Sequence, residues 1–220
     1  MITVHHLENS RSQRVLWLLE ELELTYEVVR HERDRKTMLA PPELKQVHPL
    51  GRSPVIVDGE RTVAETGAII EYLTSRAGGL LVPNGDEERL RYTYWLHYAE
   101  GTLMPLLVMK LIFSKLGSKP VPLPLRPFGG LLAYGVGQQF LDPRIAENLA
   151  YLEGELTGRD WFAGSDLSAA DIMLSFPLEA AQARANLDDY PNLAAFLKRI
   201  HARPAYQRAL ERGGPYALMF

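Results

Sequence analysis

The chain contains no cysteine. A protein thiol therefore cannot act as nucleophile, form a mixed disulfide or ligate a metal here. No apolar run of 18 uncharged residues is present, so no stretch reads as a membrane-spanning helix. The opening MITVHHLENS lacks the basic-then-apolar pattern of a secretory leader, and a cytoplasmic location with no membrane partner is expected. Positive charge is not in excess either: 24 Lys and Arg against 27 Asp and Glu leave a net charge of −3, which gives no footprint for nucleic acid. The six histidines include no helical i, i+3 or i, i+4 pair, and His5 and His6 point to opposite faces of a strand, so no metal is expected. What remains is 220 residues, 46% hydrophobic and 23% charged, enough for one large domain or two small ones.

The first third alternates. ITVHHL (2–7) is a β-branched run, and Val15, Leu18, Leu19 and Leu22 then recur at helical spacing. YEVVRH (26–31) reads as a second strand, and a strand-helix-strand unit of this length implies a parallel pair. APPELKQV is a short helix or turn, and residues 55–57 and 62–64 flank a DGE turn as a hairpin. ETGAIIEYLTSR places Ala68, Ile69, Tyr72 and Leu73 on one stripe that ends near Gly78-Gly79. The order βαβαββα predicts a thioredoxin-like α/β domain over 1–80, with a linker at 81–88.

From 89 to 220 the pattern is helical only. A long apolar helix over 87–115 is expected to bend at Gly101 and Pro105. Residues 117–137 hold five glycines and four prolines and read as an irregular connection. Helices are expected at 143–156, 168–185, 191–202 and 204–212. DLSAADI pairs Ser168 with Asp171 in a capping-box variant flanked by Leu167 and Ile172, a helix start rather than chemistry.

HPLGRSPVIVDG poses a problem, because Pro54 opens an apolar strand yet has no N–H to give a ladder. That motif, followed by ETGAIIEYL and later by LSAADI, resembles the glutathione transferase superfamily over essentially the whole chain, in its serine-type bacterial and fungal branch. The resemblance implies a cis Ser53–Pro54 bond, a geometry within reach only before proline. It implies an exposed backbone edge at Ser53 that pairs with the cysteinyl part of glutathione as an added strand would. It also implies that Thr66 holds the γ-glutamyl carboxylate at a helix N-terminus while Glu65 pairs with the ammonium. Arg52 suits the glycyl carboxylate, with Gln46 and His48 in the same loop as further contacts.

For the thiol, ENSRSQR offers Ser10, with Asn9 and Ser12 as alternatives; no tyrosine lies in residues 2–14. On the helical side, Tyr94, His97, Tyr98 and Gly101 share a face that would border the cleft, and Tyr94, Tyr98 and Met104 are the expected acceptor pocket, with the 117–137 segment a further candidate. The implied protein is a homodimer that takes glutathione as co-substrate, needs no metal, and conjugates it to a hydrophobic electrophile. A cysteine-free glutathione-dependent disulfide reductase or peroxidase, and a non-enzymatic interaction module, are the two rival readings on the same scaffold.

Overall fold

The computed structural model describes every residue except 185, 186, 188, 219 and 220. Strand β1 (Ile2–Leu7) alternates buried and half-buried side chains, as a strand with one covered face must. It lies inside a four-stranded sheet of order β2-β1-β3-β4, with β2 spanning Tyr26–His31, β3 Val55–Asp58 and β4 Arg61–Ala64. β1 runs parallel to β2, as the strand-helix-strand spacing predicts, and antiparallel to β3. β3 turns into β4 through Gly59, whose φ of +61° suits the hairpin. Helix α1 (Ser12–Glu21) buries Val15 through Leu19 and packs against α3 (Thr66–Arg76), which contributes Ile69, Ile70 and Leu73 to the same core. The short α2 (Leu44–Val47) precedes the proline strand.

The remainder of the described chain is helical. α4 (Asp86–Tyr98) and α5 (Met104–Ser114) follow the expected long helix, interrupted by a wide π-type turn at Ala99–Leu103 that contains Gly101, with Pro105 in the first turn of α5. α7 (Asp142–Glu155), α8 (Ala169–Arg184), α9 (Pro191–His201) and α10 (Pro204–Gly213) follow. The expected end of α8 at 185 lies outside the described residues.

At the start of α8 the Asp171 carboxylate accepts from the Ser168 N–H (2.8 Å), the Ser168 hydroxyl (2.7 Å) and the Phe162 N–H (2.8 Å). Burial pushes the Asp171 carboxyl up to about 6, against the pull of those bonds. One continuous core runs from Ile2 to Ala209, because α1 also touches α8 and α10. Arg203, just before α10, and Arg208 within it pair with Glu21 and Glu20 of α1.

One expectation is corrected. The 117–137 segment is not irregular: it forms a 3-10 turn at Leu123–Leu125 and then α6 (Arg126–Val136). Its glycines cost helix propensity but are needed for contact. A Cβ on Gly129 would fall 2.8 Å from the Leu116 carbonyl carbon, and Gly130 lies against Gly117. Close approach of two backbones offsets the glycine penalty, and composition alone does not reveal that.

Candidate functional site

A cavity of about 660 Å³ opens between the sheet domain and the helices. On the sheet side its wall is the loop His48 to Pro54 and the junction of β4 with α3. The Ser53–Pro54 bond is cis. The Ser53 hydroxyl donates to the His5 carbonyl (2.8 Å) and accepts the Leu7 N–H (3.2 Å), which ties the loop to β1. The main-chain N–H and C=O of Ser53 have no partner among the described residues.

Glu65 joins β4 to α3 without a linker and adopts φ +71°, ψ 125°. A non-glycine residue in that region costs about 1–3 kcal/mol and is retained where the surroundings over-determine it. The consequence is local and useful. The first helical bond runs from the Ile69 N–H to the Glu65 carbonyl, so the N–H groups of Thr66, Gly67 and Ala68 are left over, and all three residues line the cavity. With no side-chain cap at Glu65, that helix end is available to an anion.

Of the residues expected from sequence, His48, Arg52, Ser53, Pro54, Glu65 and Thr66 meet in this cavity. Gln46 is exposed and lies outside it. The helical wall differs from expectation: His97 and Gly101 are present, but they are joined by Leu96, Glu100 and Met173, while Tyr94, Tyr98, Met104 and the whole 117–137 segment are not in the lining. The Tyr98 hydroxyl bonds the Asn148 side chain on α7, and its ring packs with Trp95 and Tyr151. A buried hydroxyl needs such a partner, and finding it on α7 turns Tyr98 away from the cleft. Met104 is buried in the core.

The thioredoxin-like sheet, the cis-proline loop and the open α3 terminus are matched by family comparison. The profile described as "Glutathione S-transferase, N-terminal domain" matches residues 1–75, and that described as "Glutathione S-transferase, C-terminal domain" matches 138–204. Glutathione S-transferase 3 of Schizosaccharomyces pombe is 34% identical over 96% of this chain and 88% of its own. Glutathione S-transferase 1 of Saccharomyces cerevisiae is also 34% identical, over 96% of this chain and 95% of its own.

The chain belongs to the glutathione S-transferase family. A solved glutathione S-transferase from Actinobacillus pleuropneumoniae superposes with a TM-score of 0.82 at 33% identity, covering 97% of this chain and 93% of that one. A sphingomonad glutathione S-transferase complexed with glutathione shares the fold, with a TM-score of 0.73 at 23% identity, over 96% of this chain and 98% of that one.

In this glutathione S-transferase the β1–α1 turn is a polar network. Asn9 takes φ +49° and its side-chain oxygen accepts the Ala217 N–H (2.7 Å). The Ser10 and Ser12 hydroxyls are 2.8 Å apart, and the Ser12 hydroxyl is 2.8 Å from His6 Nδ1. The Ser12 hydroxyl also donates to the Leu7 carbonyl at 3.3 Å, so Ser10, His6 and Leu7 all meet on this one hydroxyl. The Gly213 main chain packs against the His6 ring and favours its protonated form. Burial, with the charges of Arg30 and His31 adding to it, lowers the His6 pKa to about 4, so the ring is neutral at physiological pH. Ser10 is 6% exposed and does not itself line the cavity; its neighbour Arg11 does.

Arg11 and Glu100 escape the sequence reading. Arg11 Nε lies 3.1 and 3.2 Å from the two Glu100 oxygens, and the 2% exposed Arg14 reaches the same carboxylate and the Met173 carbonyl (2.5 Å). Burial alone would raise the Glu100 pKa; the Arg14 and Arg11 guanidiniums outweigh it and hold the carboxyl below its ordinary range. A signal was present in the sequence. Two arginines at the start of α1 oppose the helix dipole, so a nearby carboxylate is needed to compensate them. Among the described residues no group of three or more candidate metal ligands forms, and no helix is long and apolar enough to cross a membrane.

Proposed function

We propose that this glutathione S-transferase binds glutathione along the Ser53 edge, stabilises its thiolate at the start of α1, and adds that sulfur to a hydrophobic electrophile held against the helical wall. The observation that carries the reading is the junction of two binding elements in one cavity: an unpaired main-chain edge at Ser53 and the open N-terminus of α3. In this pose the leftover N–H groups and hydroxyl of Thr66 hold the γ-glutamyl carboxylate, and Glu65 faces the ammonium. Ser53 pairs with the cysteinyl backbone as an added strand. Arg52 takes the glycyl carboxylate with His48 beside it. Residues 1–80 form the glutathione-binding domain, 81–88 the linker and 89–220 the helical domain. We take Leu96, His97, Gly101 and Met173 as the acceptor side, since these replace Tyr94, Tyr98 and Met104 on the cavity wall.

Ser10 is the proposed thiol partner. Its oxygen accepts the Ser12 N–H at 3.3 Å, so helix entry is served without using its proton. That proton can leave Ser12 for the sulfur while Ser12 keeps its bond to His6. The exchange replaces a neutral hydrogen bond with a charge-assisted one, roughly twice as strong. The protein is further proposed to be a cytoplasmic C2 homodimer joined across α3 and the start of α4, where Leu90 and Tyr94 are exposed apolar side chains.

Replacing Ser10 with alanine tests this. A hydrogen bond to a charged group contributes about 1.5–3 kcal/mol, so the bound thiol should titrate about one to two units higher, read from thiolate ultraviolet absorbance against pH. An unchanged titration removes Ser10 from the role, and a rise in Arg11→Ala instead would transfer it. Turnover of a chlorinated nitrobenzene rather than a glutathione mixed disulfide distinguishes conjugation from reduction. Calorimetric titration with glutathione separates both from a non-enzymatic module.

A further inference from the structure

Helix α6 carries its apolar side chains on the wrong face. Toward α5 it presents the half-buried Gly129, Gly130, Ala133 and Val136, while Phe128, Leu131, Leu132 and Tyr134 point outward, at 68, 70, 62 and 68% exposure. Leu123 and Leu125 in the turn before it are exposed as well. A surface helix ordinarily shows the reverse arrangement, and a contiguous exposed patch of this kind marks an interaction site.

The charge around the patch selects its partner. From residue 101 to 141 the chain has no Asp or Glu, but it has Lys110, Lys115, Lys119 and Arg126, in a protein of net charge −3. Lys110 is paired with Asp142, and Lys119 is exposed in the turn between α5 and α6. We propose that α6 and the turn before it form a docking surface for an anionic phospholipid bilayer, with the large apolar side chains entering the interface and Lys119 and Arg126 meeting the headgroups. Eleven residues are too few to span a bilayer, so the helix lies on it. A second copy of the chain fits less well, because a two-fold contact sets this acid-free segment against itself and opposes like charges. α5 sets the docking face apart from the cavity-lining turn at Gly101 by about 16 Å, which brings an acceptor dissolved in lipid close to the site.

The test is flotation of the full-length protein with vesicles of phosphatidylcholine alone and of phosphatidylcholine with phosphatidylserine. Capture by the anionic vesicles is expected, weakening as salt is raised. A Phe128→Ser, Leu131→Ser, Leu132→Ser variant should lose capture by at least about tenfold and keep its turnover of a water-soluble electrophile. A Phe128→Trp variant gives a readout that leaves the apolar face intact, since Trp17, Trp95 and Trp161 are all buried and the new emission should shift to the blue on anionic vesicles. Absence of capture and of the blue shift overturns the proposal, as does equal capture by neutral vesicles. A lower sedimentation coefficient for the lipid-free triple variant also overturns it, by showing that the face joins copies of the chain.

Discussion

Replacing His6 with glutamine should remove a specific acid sensitivity. The ring is buried 2.8 Å from the Ser12 hydroxyl, and burial together with the nearby Arg30 charge opposes a second proton on it. Its pKa is about 4 in the fold against an ordinary 6.5. Between those values the unfolded chain binds more protons than the native one, and stability rises with pH. The contribution is therefore fully present above about pH 6.5 and is lost as pH falls toward 4. A difference of about 2.5 units at 1.36 kcal/mol each is about 3 kcal/mol. Glutamine keeps a donor and an acceptor but does not titrate. Urea unfolding of both proteins, followed by the fluorescence of the buried tryptophans at fixed pH steps, measures the gap between them. That gap should move in favour of the variant by about 3 kcal/mol from pH 7 to pH 4. A gap constant across the range would refute the neutral buried ring.

Asp171→Asn should show the opposite slope. The folded carboxyl titrates at about 6 against an ordinary 3.8, so the native state retains a proton the unfolded chain releases. Wild type should then lose up to about 3 kcal/mol relative to the variant as pH rises through that window, read by the same urea series. Glu100→Gln strands the buried Arg14 beside Arg11 and should cost about 3 kcal/mol in chemical denaturation; a loss under about 0.5 kcal/mol, the level of an exposed pair, would deny that the clasp couples α1 to the wide turn. Gly129→Ala should destabilise by about 1–3 kcal/mol, because the new methyl meets the Leu116 backbone, whereas Gly135→Ala, with nothing within 4 Å, should stabilise by roughly 0.5–1 kcal/mol. Thermal melts with the same sign for both glycines would reject the backbone-contact explanation of α6.

Elements governed by local periodicity were legible in the sequence. β1, α1 and β2 follow from alternation and helical spacing; Pro54 stood out because a proline opening a strand needs a reason, Glu65 and Thr66 through the family resemblance, and all three line the cavity. What was not legible depended on long-range partners. α6 was hidden because glycine is scored as a helix breaker until Leu116 is seen packed against it. Tyr98 looked like a cleft residue until Asn148, 50 positions away, supplied its hydrogen bond. Arg11 was passed over beside Ser10 because an arginine at a helix start reads as surface charge unless Glu100 is brought across from the helical domain.

The choice between Ser10 and Arg11 as thiolate partner turns on how much of the arginine's charge is free. A unit charge about 4 Å from a thiolate at an effective dielectric near 20 would contribute about 4 kcal/mol, more than one hydroxyl hydrogen bond. Arg11, however, is engaged by both oxygens of Glu100, so sulfur would meet a cation and an anion together rather than a lone cation. The carboxylate is itself held by Arg14, which keeps it from being displaced toward the ligand. The field left at the sulfur is that of a clasp with one excess positive charge spread over two arginines, one of them buried behind the carboxylate. In the proposed pose the Ser10 hydroxyl turns to the sulfur at contact distance and is not screened in this way. On that pose, Ser10→Ala should then raise the bound thiol's titration point more than Arg11→Ala does.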